Sequence, residues 1–314
     1  MTRDLLAPTP YWDHWIDHSH NRIEHMWAKC KEPPSNPRYR PQYVFEIARE
    51  YWQLMLERYS RGDPVRELMQ YFPGLLDAWA ESERLGADEF SPEQQFSRHS
   101  WATNLDNYIV CFWLTGLALA LDIPDDQWRR LVALMGNEGE DTLLDRVIAS
   151  RDRGRRIGTA VCHPRPYARL LEAIDASPEE QPHLLQTFVE NWYAELNRPP
   201  KGGGVTAIYD RPYWYGFSQN IEGGAYFGFW CVEAVATVKA FGLDDSLCLG
   251  EPHYPGDLLR PDGPTTSASS VQVAVATVAG QSRITQESLL RRLFGKSEQS
   301  HDREIHVLPG RKCG

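Results

Sequence analysis

The sequence predicts an all-α fold: a multi-helix bundle with N-terminal and C-terminal helical halves around buried aromatic central helices. Three observations predict it. Apolar residues recur at helical spacing from Tyr11 to about Leu259, with no period-2 run among them. Helix start and stop residues punctuate those segments. Two segments, Tyr108–Leu121 and Tyr226–Phe241, are apolar on most sides, and a helix of that kind is buried rather than laid on a surface.

Taken in order, "YWDHWIDHSHNRIEHMWAKC" is the first helix. At 100° per residue, Trp12, Trp15, Ile16, Ile23, Met26, Trp27 and Cys30 share one broad face, and His14, His18 and His25 lie opposite. "KEPPSNPRYRP" breaks the helix with four prolines. A second helix runs from about Pro41 to Ser60. A third follows in "PVRELMQYFPGLLDAWAESERL", where Pro73 is expected to kink or interrupt it. The polar stretch "GADEFSPEQQFSRHS" then leads to the first buried helix, Leu105–Leu121. Further helices are expected in "DIPDDQWRRLVALMG", "EDTLLDRVIASRDRGRR", "HPRPYARLLEAID" and "SPEEQPHLLQTFVENWYAEL". In the last, Ser177 stands as cap and Pro178 at the first helical position. After the loop "NRPPKGGGVTAIYDRPYWYGFSQN" comes the second buried helix, closed by Gly242 in the left-handed position and Leu243 as its hydrophobic contact. Beyond Pro261, "SVQVAVATVA" suits an edge strand or a tail, and "ITQESLLRRLFGK" a short basic amphipathic helix. A weak internal echo at an offset of 120 pairs Cys111 with Cys231, Ile123 with Leu243 and Asp125 with Asp245.

The chain has 314 residues, with 42% hydrophobic, 24% charged and 11% aromatic content, so it is a globular protein with a core built from large rings. Residues 1–150 form the acidic N-terminal half, 151–260 the C-terminal half and 261–314 a tail, with net charges of −9, −3 and +2. An acidic first half argues against a nucleic-acid-binding surface, since phosphates require Lys and Arg. It suits either solubility or a basic partner. Six cysteines without C-x-x-C spacing argue against a zinc ribbon or redox motif and suit a reducing, cytoplasmic setting. "MTRDLLAPTPYWDHW" has no apolar signal region, and the 14-residue apolar run Tyr108–Leu121 is too short to span a membrane.

No constellation for catalysis or cofactor binding emerges. His14 and His18 have the i, i+4 spacing of zinc-binding helices, but H-E-x-x-H is absent and the stripe opposes the Trp/Ile face, so it reads as solvated. Glu233, inside the second buried helix, is either a general acid or base with raised pKa or a scaffold carboxylate satisfied by Lys, Arg, Trp or Tyr. "KGGG" lacks the P-loop frame, no G-x-S-x-G elbow occurs, and "RDRGRR" (Arg151–Arg156) reads as a solvated link between helices.

Two stretches resemble a known family. One is "LLEAIDASPEEQPHLLQTFVENWYAEL" followed by "GGAYFGFWCVEAVATVKAFGLDDSLCLGEPHYPGDLLRP"; the other is "YIVCFWLTGLALALDIPDD" after a long N-terminal hairpin. Together they resemble the PoNi-type immunity proteins, which protect bacteria against PoNe-type DNase toxins of type VI and related secretion systems. The resemblance runs from about Tyr11 to Pro261, is most specific in "YFGFWCVEAVATVKAFGLDDS…HYPGDL", and leaves the tail outside. The stretch "KGGG…YDRPYWYGF" is longer than the family pattern. The resemblance implies an all-α inhibitor without enzyme activity, cofactor or metal, whose partner is a cognate toxin, a basic nuclease. It also implies that Tyr226, Phe229, Trp230, Glu233 and Lys239 are scaffold residues. A DNase must carry a basic face, and an inhibitor can present acids to it. The acids around the first buried helix are therefore the candidate docking residues: Asp88, Glu89 and Glu93 before it, Asp125 and Asp126 at its end, and Glu138, Glu140 and Asp141 beyond. The aromatic loop Tyr209–Phe217 is the alternative anchor.

Overall fold

A computed structural model describes residues 1–34, 36–197 and 211–266. Among these residues there are ten α-helices and no strand. The "KGGG" loop and the two tail segments after Pro261 lie outside the described residues.

The N-terminal half starts from a layer of three helices. In α1 (Thr9–Lys29), Trp12, Ile16, Ser19, Ile23 and Met26 are buried. Their alternating 4-3 spacing makes one stripe, which packs on α2 (Arg40–Arg61). On its other side α2 packs against α3 (Phe72–Glu89). Of the two outcomes expected at Pro73, the segment is interrupted rather than kinked. The chain turns earlier, as a 3-10 segment over Val65–Tyr71, and Pro73 stands in the first turn of α3, where its missing N–H leaves no bond unmade. The polar stretch after α3 contains a helix of its own, α4 (Pro92–His99). Ser91 and Gln94 form a reciprocal capping box at its start. It buries no residue fully, which is why apolar periodicity did not reveal it.

The centre is α5 (Leu105–Ala120), in which only Asp106, Asn107 and Ala120 escape full burial. It packs face to face with α10 (Val232–Phe241). Gly116 permits the approach: a Cβ there would lie 2.8 Å from Val232 Cγ1 and 2.9 Å from the Val232 carbonyl. Around this pair stand α6 (Asp125–Met135), which meets α3, and α7 (Thr142–Ala149). The hairpin of α8 (Pro164–Asp175) and α9 (Gln181–Glu195) completes the C-terminal half. The start of α9 is later than the Ser177 cap suggested. Ser177 opens a turn, and Pro182 rather than Pro178 stands in the first helical turn.

The second buried segment is only half helical. Tyr226–Cys231 precede α10 as irregular buried backbone. Gly228 sits at φ 95°, where a Cβ would meet Ser60 Oγ at 2.3 Å. Continuous helix is therefore excluded, and other groups satisfy the backbone. Tyr11 OH donates to Tyr226 O at 2.8 Å, and Ser60 Oγ to Phe227 O at 3.2 Å. Phe229 O lies 2.9 Å from His253 Nδ1, and Cys231 N donates to His253 O at 2.8 Å. The helix ends as expected, with Gly242 at φ 68° and Leu243 buried.

The described residues form one compact unit with one continuous hydrophobic core. The division at residue 150 is therefore not a break between separately packed bodies. Arg3 ties the chain start to the C-terminal half: its Nε donates to Asp257 at 2.6 Å, and its Nη1 to Tyr59 O and Asp63 O. Among the described residues no helix is long and apolar enough to cross a membrane.

Candidate functional site

Glu233 is fully buried in the first turn of α10, facing three helices. Trp113 Nε1 of α5 donates to one carboxylate oxygen at 3.1 Å. Tyr167 OH of α8 and Trp192 Nε1 of α9 donate to the other at 2.8 and 3.2 Å. Burial pushes the carboxyl up to about 7, against the opposing pull of those hydrogen bonds. Such a group can exchange a proton near neutrality, but with no exposed surface it touches only the core. Its partners are the Trp and Tyr donors of the scaffold reading. Nothing in the sequence singled them out, because they come from three helices distant along the chain.

Tyr226, Phe229 and Trp230 are buried. Lys239 departs from the scaffold role that the resemblance implied, since it is exposed in the last turn of α10. The "HYPGDL" stretch is a set of ties. His253 holds the irregular segment, and Tyr254 OH donates to Asp245, which also pairs with Arg260. Asp257 takes Arg3 together with the Thr265 hydroxyl and the amide and hydroxyl of Thr266.

The candidate docking acids divide. Asp141 has no exposure and is removed from the surface set. It caps α7, accepting from Leu143 N at 2.9 Å and Leu144 N at 2.6 Å, and it also accepts from Tyr108 OH and Cys162 N. A cap that satisfies helix-start amides under a packed core has no face left for a partner. Asp125 and Glu138 are exposed but engaged, with Arg151 at 2.8 Å and Arg156 at 3.6 Å. Asp88, Glu93, Asp126 and Glu140 are exposed and Glu89 is half-buried. Among the described residues none of these five has a cation within 4.0 Å.

Nor do they form one patch. Asp77 pairs with Arg130, and Glu83 shares a cavity with Leu134 and Asn137, so α3 and α6 run side by side in the same direction. Asp88, Glu89, Glu93, Glu138 and Glu140 therefore gather at one end of these helices. Asp125 and Asp126 stand at the other end of α6, roughly 16 Å away at 1.5 Å per residue.

"RDRGRR" is a neutralising clamp rather than a solvated link. Arg155 is buried on Asp145 at 2.7 Å and donates to Gly136 O, while Arg151 donates to Ile123 O at 2.6 Å. The histidines His14, His18 and His25 are exposed, and His14 and His18 pack edge-on against Trp15. Among the described residues no group of three or more His, Cys, Asp or Glu is arranged to hold a metal ion.

The profile of the PoNe immunity protein (PoNi) N-terminal region matches residues 3–133, and that of the PoNi C-terminal region matches residues 139–258. The two meet between α6 and α7. Among solved structures, protein PA2201 from Pseudomonas aeruginosa has a similar fold, with a TM-score of 0.55 at 18% identity over 83% of this chain and 98% of that one. No curated protein matches the sequence significantly. Two family regions in succession, spanning nearly all the described residues, establish that the chain belongs to the PoNe immunity protein family.

Proposed function

We propose that this chain neutralises a cognate secreted toxin, a nuclease with a basic DNA-gripping face, by binding it in the cytoplasm, without chemistry of its own. The observation that carries this reading is the match of both PoNi regions, from residue 3 to residue 258. The fold supports it: Glu233, a carboxylate poised near neutrality beside α5, is sealed among aromatic donors. The unpaired acids Asp88, Glu93 and Glu140 at the shared end of α3 and α6 supply an electrostatic rim.

Exposed rim charges act mainly on association rate and are screened by salt. The cognate PoNe-type toxin domain is expected to bind with an on-rate that falls as salt rises, read by surface plasmon resonance at two ionic strengths. Reversing Asp88, Glu93 and Glu140 together to Lys is expected to slow association about tenfold or more with an unchanged circular dichroism spectrum. Salt-independent association, together with full binding by the triple variant, removes the acidic rim from the mechanism. Absence of any complex refutes the immunity reading itself.

A further inference from the structure

On α2, Glu46, Glu50, Gln53 and Glu57 follow one another at i, i+4, i+7 and i+11, a single polar face on a helix otherwise sunk in the core. Glu50 and Glu57 on that face are buried against α1, but packing does not close it completely. Two cavities open on it, of about 250 and 300 Å³, and both are lined by Arg49 and Tyr213. Tyr213 is the divider between them. Its N–H donates to Asp106 at 3.0 Å, its hydroxyl accepts from Gln53 at 3.0 Å, and Arg49 lies over its ring.

The first cavity holds Glu46, Arg98, His99 and Asp106. Glu46 is matched by Arg49, and Arg98 lies over Phe90. Asp106, facing these groups from α5, has no cation within 4.0 Å among the described residues and is hydrogen-bonded to a neutral amide. The second cavity holds His18, Ser19 and Arg22 of α1 opposite Glu50 and Glu57 of α2. Arg22 is taken by Glu50 at 2.8 Å, and Glu57 receives the Ser19 hydroxyl at 3.0 Å. Glu50 is the charged neighbour whose field raises Glu57, and Glu57 in turn raises the Tyr11 hydroxyl of α1. Each cavity thus holds one carboxyl with no cation within 4.0 Å among the described residues; Arg22 and Arg49 are ion-paired, while Arg98 is held by the Phe90 ring and Gln95 rather than by a carboxylate. The cavities are at or below the roughly 300–1,000 Å³ of small-molecule pockets, a size suited to single side chains.

We infer that this divided groove is the central docking site for the toxin, receiving two basic side chains, one against Asp106 and one against Glu57, on either side of Tyr213. The inference rests on the immunity reading above and places its anchoring contacts away from the acidic rim. It carries a proton signature. Burial pushes Asp106 up to about 7 and Glu57 up to about 8, so in the free protein both carry a proton through much of the range below neutrality. An incoming Lys or Arg favours the carboxylate form, so docking expels those protons into solvent. Affinity therefore rises as pH increases from about 6 to above 8.

The test is calorimetric titration of the full chain with the cognate PoNe-type toxin domain, in two buffers of different ionisation enthalpy. Release approaching two protons per complex is expected near pH 6, declining toward zero by about pH 9. The isosteric pair Asp106→Asn and Glu57→Gln imitates the protonated groups, so its melting temperature at pH 6 is expected to match that of the parent. Its affinity is expected to fall about 30-fold or more, with proton release abolished. A tight complex with no proton release and undiminished binding by the double variant overturns the groove assignment while leaving the immunity reading intact. Failure of the parent chain to bind the toxin overturns both.

Discussion

Glu233 shows how one buried residue organises a core. It gathers hydrogen bonds from Trp113, Tyr167 and Trp192, each on a different helix. Glu233→Ala leaves three buried donors without an acceptor and is expected to destabilise the protein by about 2–5 kcal/mol, read as a lowered denaturation midpoint. Its pH dependence has a definite sign. The folded carboxyl titrates at about 7 against an ordinary 4.5, so the fold favours the protonated form. This contribution is complete below about pH 4.5 and is lost as pH rises through 7, a difference of roughly 3 kcal/mol. Glu233→Gln is expected to flatten the decline in melting temperature between pH 5 and 7.5 relative to the parent. Parallel curves would show that Glu233 does not titrate in this window. Asp141 is an acid whose charge is not available at the surface. It sits in an acidic loop sequence, yet it is a buried cap whose loss is expected to cost about 2 kcal/mol. Asp141→Ala should therefore lower the melting temperature, whereas Asp126→Ala, on the exposed start of α6, should leave it nearly unchanged.

At the scale of elements, the contact of α5 with α10 depends on a missing side chain. Alanine is intrinsically better than glycine in a helix by about 1 kcal/mol. At position 116 its Cβ would press within 2.9 Å of the Val232 carbonyl, so backbone must move. Gly116→Ala is expected to lower the melting temperature despite its propensity, and a raised one would mean the two helices separate easily. The first buried helix was legible because its apolar character lasts through four turns. The second buried helix is shorter than its composition suggests, because buried irregular backbone and buried helix share the same apolar residues. What distinguishes Tyr226–Cys231 is the positive φ of Gly228 and the distant acceptors and donors that satisfy its backbone. For α4 the cap residues were present in the sequence, but an exposed short helix lacks the apolar stripe that draws attention.

For the whole molecule, the two family regions are successive in sequence but share one core. Arg3 and Asp257 close the chain across 254 positions, and Trp230 Nε1 donates to Ser60 Oγ at 2.8 Å between the halves. Breaking one partner of a mostly buried ion pair costs about 3–5 kcal/mol. Arg3→Ala is therefore expected to lower the cooperative unfolding midpoint as a single transition. Residues 1–138 expressed alone are expected to expose apolar surface and aggregate. A soluble fragment with native helicity would show that the N-terminal region packs independently.

By itself the sequence determined the all-α class, most helix positions, the acidic balance of the first half and the family resemblance. These rest on local periodicity, capping chemistry and composition, which are properties of neighbouring residues. Only the tertiary structure decided which charges are available. It buried Asp141 in a cap, turned "RDRGRR" back onto Asp125, Glu138 and Asp145, and sealed Glu233 among aromatic donors. It also opened a groove on α2 beside Tyr213. Charge availability depends on burial and on partners far apart along the chain, and neither is written in the spacing of adjacent residues.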